Sequence, residues 1–199
     1  MMTTLRIGVA DDERDMREYL QEVLQRLGYE VVVVAGTGRE LVELCRATPP
    51  DMVITDIKMP DMDGIEASVA VNRVKQMPII LVSAHHDAEL LVRSAVDHIM
   101  AYLVKPVKEA DIKTAIAVAL TRFRHFQAVA KEAADLRQAL EDRKLIERAK
   151  GIIMRRVGVD EEEAFRRLRR LASSQNHKLV DVARGVLAAE NVFHDLDAS

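Results

Sequence analysis

The sequence contains few aromatic residues and almost no cysteine. Tryptophan is absent, and three tyrosines and four phenylalanines make up the 4% aromatic content of the 199 residues. The single cysteine, Cys45, excludes an internal disulfide, and its apolar neighbours predict a packed helix residue. No stretch approaches the roughly 20 apolar residues of a membrane span, and the N-terminus lacks the pattern of a signal peptide. We therefore expect a cytoplasmic protein without a membrane segment.

The two parts of the chain differ in charge. Residues 1–120 contain 13 Lys and Arg against 19 Asp and Glu, a net charge of −6. Residues 121–199 contain 16 against 13, a net charge of +3, and the two values sum to the overall −3. Residues 143–170 alone contain 10 basic and 5 acidic side chains. This asymmetry predicts two modules with different partners.

Apolar runs and amphipathic segments alternate along residues 1–120. The segments that we predict as strands are Leu5–Ala10, Val31–Ala35, Met52–Thr55, Ile79–Val82 and Tyr102–Val104. The segments that we predict as helices are Met16–Leu27, Arg39–Arg46, Ile65–Lys75, Ala88–Val96 and one that begins near Lys108. Strands that are apolar throughout are buried on both faces, so helices cover both sides of a parallel sheet. Five such units predict a flavodoxin-like, doubly wound α/β fold with a five-stranded parallel sheet.

A long helix is predicted to follow the sheet. No strand pattern returns after Ile116, and the first glycine after that point is Gly151. Apolar residues at alternating spacings of three and four predict a coiled-coil seam. Arg137 and Lys144 fall at seam positions and predict a weak or interrupted coil. The alternative is a single helix that folds back on the first domain.

The last part of the chain is predicted to be a small three-helix all-α domain. Gly158 ends the long helix, and Asp160 can cap the next helix with Glu163 at the capping-box position. The segment SSQNH (173–177) separates that helix from a last amphipathic one.

Polar side chains follow the predicted strands at their carboxyl ends. Asp11 and Asp12 follow the first strand, Asp56 the third, Ser83 the fourth and Lys105 the fifth. In a doubly wound sheet these ends meet at the edge where ligands bind. Neighbouring carboxylates repel one another unless a cation joins them, and oxygen ligands together with water suit Mg²⁺. The turn-forming residues of PDMDG explain the presence of a single aspartate without any function. They do not explain why five polar residues are predicted at one edge of the sheet.

Residues 1–120 resemble a response-regulator receiver domain. The resemblance rests on DD after the first strand, DIKMPDMDG after the third, SA after the fourth and YLVKP at the fifth. It implies that Asp56 accepts a phosphoryl group from a sensor histidine kinase or a small phosphodonor. It also implies that Asp12, Asp56 and the Lys58 backbone carbonyl bind Mg²⁺, with Asp11 acting through water.

The same resemblance implies how the phosphorylated state is recognised. Lys105 would neutralise charge on the phosphoryl oxygens. Ser83 would donate a hydrogen bond to the new phosphate, and Tyr102 would rotate inward behind it. The Lys105–Pro106 peptide bond is expected to be cis.

Two features depart from the receiver pattern. His98 and Ile99 stand where the family often has Gly-Ala, which could alter the surface near the fifth strand that usually passes the signal on. His85 and His86 follow the fourth strand, and we interpret them as exposed loop residues.

The second part resembles the ANTAR RNA-binding domain of transcription antitermination regulators. The resemblance covers residues 136–189 and rests on RKLIERAKGIIM, EEEAFRRLRRLA and KLVDVARGVL in this order. Most of the matching residues are apolar and are predicted to form a core. Arginine gives phosphate attraction and a planar group that can stack on loop bases. The residues expected to contact RNA are Arg148, Lys150, Arg155 and Arg156, followed by Arg166 and Arg169.

Three other functions are alternatives to RNA binding. A helix-turn-helix DNA-binding module needs a basic recognition helix, but the last predicted helix offers only Arg184 after Lys178. A protein-docking or dimerising module without nucleic acid would use the same helices. A magnesium-dependent phosphohydrolase would need a substrate pocket, and no segment beyond the short loops supplies one.

These patterns together predict a two-component response regulator that is not an enzyme. The predicted divisions are a receiver at 1–120, a helical linker at 121–135 and an RNA-binding domain at 136–199. Phosphorylation of Asp56 would control binding to RNA stem-loops and so promote antitermination. A homodimer through the linker helix is expected.

Overall fold

The strands and helices of the protein form two compact units, residues 1–127 and 128–199. A computed structural model describes residues 4–84 and 98–197, with side chains up to residue 192. The strands are β1 (Arg6–Ala10), β2 (Glu30–Ala35), β3 (Met52–Asp56), β4 (Ile79–Ser83) and β5 (Ile99–Val104). The helices are α1 (Arg14–Arg26), α2 (Gly38–Ala47), α3 (Gly64–Val74), α4 (Glu109–Val157), α5 (Glu161–Gln175) and α6 (Leu179–Asp197).

The five strands form one parallel sheet in the order β2-β1-β3-β4-β5. This topology confirms the predicted doubly wound fold. Asp56 at the end of β3 lies opposite Val82 of β4, and Ser83 lies opposite Val104 of β5. The register therefore brings the carboxyl ends of the three strands level with one another.

Each face of the sheet is covered by helices. On one face Ile54, Ile80 and Val82 pack with α1 and the first turns of α4. On the other face Val53 and Leu81 pack with α2 and α3. Neighbouring residues of one strand thus serve opposite layers, which is why these strands are apolar at every position.

Helix starts follow from their capping residues. The side chains of Thr37, Asp63 and Asp160 accept hydrogen bonds from the backbone N–H three residues later, at 3.1, 2.7 and 2.8 Å. Each bond satisfies a donor that the first helical turn leaves unpaired. Gly28, with φ of +84°, follows α1, and Asn176, with φ of +54°, ends α5. The predicted cap at Asp160 is confirmed.

The start of β5 differs from the sequence prediction. β5 begins at Ile99 rather than Tyr102, because Ile99 pairs with Ile79 and the backbone N–H of Ile79 donates to the His98 carbonyl at 3.0 Å. The long helix is one element from Glu109 to Val157, in agreement with the prediction of a continuous helix. The helix predicted at Ala88–Val96 lies outside the described residues, as do His85 and His86.

The second unit has its own small core. Ala149, Leu168, Ala172, Val182 and Ala183 are buried together where the end of α4, α5 and α6 meet. Three of these five residues are alanine, whose small side chain allows close packing of helices. Among the helices of the described residues, none combines the length and apolar character that a membrane span requires.

Candidate functional site

Three carboxylates meet at the carboxyl edge of the sheet. Asp11, Asp12 and Asp56 each offer an oxygen atom, and these oxygens lie within 4.8 Å of one another. We refer to these three residues as the acidic cluster. Asp11 and Asp56 are buried, whereas Asp12 is exposed. The structure therefore brings together the carboxylates that the sequence placed at one edge.

The loop after β3 fixes the Asp56 carboxylate. Asp56 Oδ1 accepts a hydrogen bond from the backbone N–H of Ile57 at 2.8 Å. The backbone N–H of Gly64 donates to the Ile57 carbonyl at 2.8 Å and folds the loop back onto the strand. A Cβ at position 64 would lie 1.9 Å from the Asp56 carbonyl oxygen, so only glycine fits there. Asp61 turns the loop with φ of +68°.

Lys105 faces the acidic cluster from the end of β5. Its ammonium nitrogen lies 3.1 Å from Asp11 Oδ2, 3.1 Å from Asp56 Oδ2 and 3.0 Å from Glu13 Oε1. The backbone N–H of Lys105 donates to the Ser83 carbonyl at 2.9 Å, which ties the end of β5 to β4. The Lys105–Pro106 bond is cis, as predicted.

The electrostatics of the site reflect crowding and burial. Burial raises the pKa of Asp11, although the Glu13 backbone N–H and Lys105 oppose the shift. Burial also raises the pKa of Asp56, Lys105 opposes the shift, and the negative charge of Asp11 adds to it. Burial alone would lower the pKa of Lys105, but contacts with Glu13, Asp56 and Asp11 together outweigh it and raise that pKa. The site thus carries more negative charge than one ammonium neutralises.

The donor set fits a hard divalent cation. Asp11 Oδ2 is buried and has no hydrogen-bond donor of good geometry among the described residues, although the Lys105 ammonium is near. Mg²⁺ prefers carboxylate and carbonyl oxygens together with several waters. The acidic cluster supplies the carboxylates, and the exposure of Asp12 leaves room for water.

The remaining predicted receiver residues lie around this edge. Ser83 is buried as the last residue of β4, next in the chain to the partner of Asp56. Tyr102 lies on β5 opposite Leu81, and 38% of its surface is exposed. Lys58 follows Asp56 by two residues, and its side chain is exposed. The roles assigned to these residues stay predictions.

Sequence reasoning missed two residues of the site. Glu13 contacts Lys105 and also places its backbone N–H 2.9 Å from Asp11 Oδ1. Arg17, one turn into α1, donates to the backbone carbonyls of Asp11 and Asp12 at 2.6 and 3.0 Å. Both residues hold the loop after β1 in place. Their positions shortly after the paired aspartates are the only sequence feature that could have indicated a role in the site.

His98, a departure from the receiver pattern, packs inside the first unit. Its ring meets Phe126 edge to face with 5.9 Å between the centroids. Phe126 in turn stacks near Phe123, with 6.5 Å between centroids. The imidazole ring of His98 therefore contacts α4, and its backbone carbonyl accepts a hydrogen bond from β4.

The six predicted RNA contacts occupy different environments in the second unit. Arg148 and Arg155 are exposed on one side of α4, and Arg169 is exposed on α5. None of the three forms an ion pair with the residues that the structure describes. Arg156 pairs with Glu190 at 2.9 Å, and Arg166 pairs with Glu162 and Glu163.

Lys150, also predicted to contact RNA, has partners within the second unit. It is buried, and its ammonium lies 2.9 Å from Glu147 and 2.7 Å from Glu161. It also lies 5.7 Å from the centroid of the Phe165 ring. The charge of Lys150 is used to join the start of α5 to α4, so the exposed arginines are the better candidates for an external ligand.

An acidic edge with an opposing lysine on a doubly wound sheet, followed by a basic helical unit, defines a signalling protein with a separate output module. Comparison with protein families supports both parts. The response regulator receiver domain matches residues 7–117, and the ANTAR domain matches residues 134–187.

Individual relatives match either most of the chain or its first part. Transcriptional regulatory protein PdtaR of Mycobacterium tuberculosis is 41% identical over 182 residues, which cover 92% of this chain and 89% of that protein. Chemotaxis protein CheY of Thermotoga maritima is 31% identical over 112 residues, 56% of this chain and 93% of that protein. A receiver domain protein from Clostridium thermocellum has a similar crystal structure, with a TM-score of 0.55, 28% identity and coverage of 60% of this chain and 97% of that one.

The chain belongs to the two-component response regulators that combine a receiver domain with an ANTAR output domain. This family is regulatory and not enzymatic, which removes the phosphohydrolase alternative.

Proposed function

We propose that a sensor histidine kinase or a small phosphodonor phosphorylates Asp56 and that this event controls RNA binding by the second unit. The observation that carries the first half is the acidic cluster with Lys105 opposite it. The carboxylate of Asp56 attacks phosphorus, the bond between phosphorus and the donor breaks, and the donor leaves with the bonding electrons. Lys105 lies where it can neutralise charge on the phosphoryl oxygens.

Mg²⁺ is the cofactor that we propose for this transfer. Asp12, Asp56 and the Lys58 carbonyl would hold it, and Asp11 would act through water. When bound, the ion supplies positive charge to the phosphoryl oxygens. The chain itself positions Asp56 through the Ile57 N–H and keeps Lys105 within 3.1 Å of it.

RNA stem-loops are the ligand that we propose for the second unit. Arg148 and Arg155 are seven residues apart on α4 and border the same groove, which α6 residues also line. Guanidinium groups that are exposed and unpaired within the described fold can bind phosphates without breaking internal ion pairs. The membership of the ANTAR family favours RNA over other polyanions.

DNA reading by α6 has little support. Arg184, the basic residue that α6 offers, pairs with Asp181 at 3.2 Å and with Asp142 at 3.7 Å. A recognition helix needs several polar or basic side chains directed at base edges. A protein-docking role for the second unit stays as the remaining alternative, and the binding assay below separates it from RNA binding.

We propose that the protein acts as a pair, joined along α4. Every residue from 127 to 141 is exposed, and the apolar side chains of Val129, Leu136 and Leu140 are 51, 61 and 59% exposed. With Ala133 they form a stripe at spacings of four, three and four, which is the pattern of a coiled-coil seam. We call these four residues the α4 stripe. A second copy of the chain is the occupant that matches it.

The test is an electrophoretic shift titration with single hairpin RNA, tandem hairpin RNA and duplex DNA of matched length. We expect binding to RNA, with tandem hairpins bound more tightly by about 10²–10⁴ because two linked modules act together. A phosphodonor with Mg²⁺ should increase the affinity, and transcription through a terminator preceded by those hairpins should then increase. Equal affinity for DNA would contradict RNA recognition and favour the DNA-binding alternative, whereas no binding to either nucleic acid would leave the protein-docking alternative.

The binding surface can be tested in the same assay. Arg148→Ala with Arg155→Ala should lower RNA affinity and reduce the salt dependence, since each phosphate contact contributes a slope of about 0.7 for single strands. Lys131→Ala with Lys144→Ala is a control of equal charge on the same helix. An equal loss in the control would show that only overall charge matters.

A further inference from the structure

We infer that Phe165 is a base-stacking residue, which binds an unpaired base in the loop of an RNA hairpin. This inference rests on the proposed RNA binding and deepens it by naming a contact that is not ionic. The spacing of Phe165 with Ala164 and Leu168 predicts a core residue, but the structure places it elsewhere. Ala164, Leu168 and Ala172 are buried, whereas 37% of the Phe165 surface is exposed.

The position of Phe165 on α5 explains this exposure. Successive helical residues are rotated by about 100°, so Ala164, Leu168 and Ala172 form the buried face. Phe165 lies at one border of that face, and Leu171 lies at the opposite border with 42% exposure. An exposed phenyl ring has no polar group that hydrogen-bonds to water, and it offers a flat apolar surface to a ligand.

The ring rests on a fixed support. The Lys150 ammonium lies 5.7 Å from the ring centroid, within the range of a cation–π contact. Glu147 and Glu161 hold that ammonium at 2.9 and 2.7 Å. The cation therefore has little freedom to move, and Lys150 acts as a positioning residue for the ring. A prepositioned ring loses little conformational entropy when a base stacks on it.

The charge beside the ring matches a nucleic acid. Phe165 lines one surface groove with Glu162, Arg166, Arg169, Arg170 and Ser173, so three arginines face one carboxylate there. Arg169 and Arg170 form no ion pair within the part of the chain that the structure describes. Guanidinium groups attract the phosphate backbone, while an aromatic ring binds the face of an unstacked base. Duplex DNA hides its base faces within the stack, so this combination favours a hairpin loop.

The experiment compares Phe165→Ala with Leu171→Ala, the matched loss of an exposed apolar side chain at the other border of the same face. Full-length proteins are titrated with a tandem hairpin RNA and with the same RNA carrying abasic sites in its loops. We expect Phe165→Ala to lose affinity on the order of tenfold and Leu171→Ala to lose little. Phe165→Tyr should keep affinity near that of the wild type, since it retains the ring.

The abasic RNA identifies the contact. At the loop position that stacks on Phe165, removal of the base should weaken the wild type and leave Phe165→Ala unchanged. Thermal unfolding of each variant shows whether the second unit remains folded, and Phe165→Leu replaces the Ala variant if it does not. The stacking role alone would be overturned if Phe165→Ala and Leu171→Ala bound the RNA with equal affinity. It would also be overturned if abasic sites weakened binding by Phe165→Ala as much as binding by the wild type. Wild-type protein that binds no hairpin RNA would overturn the proposed function as well.

Discussion

At the scale of residues, Asp56 has to be reactive and yet confined. Its Oδ1 is occupied by the Ile57 N–H, and its Oδ2 faces Lys105. Burial and the charge of Asp11 raise its pKa, so the fold disfavours the ionised form of this carboxyl group. A bound cation or a phosphoryl group would change the electrostatic free energy of the Asp56 carboxyl group, so both should affect the stability of the site.

Asp56→Asn should therefore have two effects. We expect no phosphorylation at position 56 by a small phosphodonor with Mg²⁺, as measured by mass spectrometry. Phosphate gained at an aspartate to the wild-type extent would contradict the assignment. We also expect a higher free energy of unfolding without Mg²⁺, because the amide removes a buried charge.

The second effect depends on pH in a defined direction. Because the pKa of Asp56 is raised in the folded state, the unfolded chain loses its proton first as the pH increases. The contribution of Asp56 to the free energy of unfolding then falls from about pH 4 upward until the folded-state pKa is passed. The advantage of Asp56→Asn should be absent in stronger acid and present at neutral pH. Chemical denaturation at several pH values measures it.

Ser83→Ala tests the switch. Ser83 is not part of the acidic cluster, so Mg²⁺ binding should be unchanged. We expect the response of Tyr102 to phosphorylation to weaken, because the hydroxyl that would bind the phosphate is gone. NMR of labelled tyrosine provides the measurement, with Thr121→Ala on the exposed side of α4 as the control. A wild-type response in Ser83→Ala would refute the coupling.

Cys45 gives a second prediction with a pH dependence. The thiol is buried on α2, and burial raises its pKa to about 11. At about pH 8 a thiol reagent should modify it only when the chain unfolds. Since the unfolded thiol ionises first, its contribution to stability is complete below about pH 9 and is lost as the pH rises through about 11. The stability difference between the wild type and Cys45→Ala should shrink over that window by up to about 2–3 kcal/mol.

At the scale of elements, the sequence predicted the types of strands and helices, which follow from periodic patterns. It did not predict boundaries and contacts that depend on packing between distant parts of the chain. Strand and helix types in the described residues agree with their patterns because apolar periodicity is local. The start of β5 at Ile99 depends on pairing with β4, which no local pattern contains. The roles of Glu13 and Arg17 could not be predicted because their contacts depend on the path of the loop after β1. Phe165 had core spacing but lies at the border of the helix face.

Gly64→Ala tests the element that shapes the site. A Cβ there would lie 1.9 Å from the Asp56 carbonyl oxygen, which belongs to the backbone and cannot yield without moving β3. We expect a loss of roughly 2 kcal/mol or more in unfolding free energy, together with slower phosphorylation of Asp56. Gly36→Ala is the control, since a Cβ there would lie 3.4 Å from its nearest neighbour, the Arg17 guanidinium, which is an ordinary van der Waals distance. Comparable losses in both variants would contradict the steric account.

At the scale of the whole molecule, the α4 stripe is the feature that would join two chains. Leu136→Lys with Leu140→Lys should shift the protein to a monomer in sedimentation experiments and remove the preference for tandem hairpins. Binding to a single hairpin should be unchanged. Ala134→Lys with Gln138→Lys adds the same side chains on the opposite side of the helix and serves as the control. Dimers of the Leu136→Lys, Leu140→Lys protein in the absence of RNA would refute the prediction. Dimers of this protein that form only when RNA is present would still meet it.

If two chains pair through that stripe, its length also has a consequence for the dependence on protein concentration. Four seam residues extend over less than two heptads, and Ala133 contributes little apolar area, so pairing of this kind would depend on how much protein a cell contains. When most chains are single, the number of pairs rises with the square of the chain concentration. A doubling of expression would then raise paired output about fourfold, and the abundance of the regulator would become a signal in its own right, alongside the phosphoryl group on Asp56.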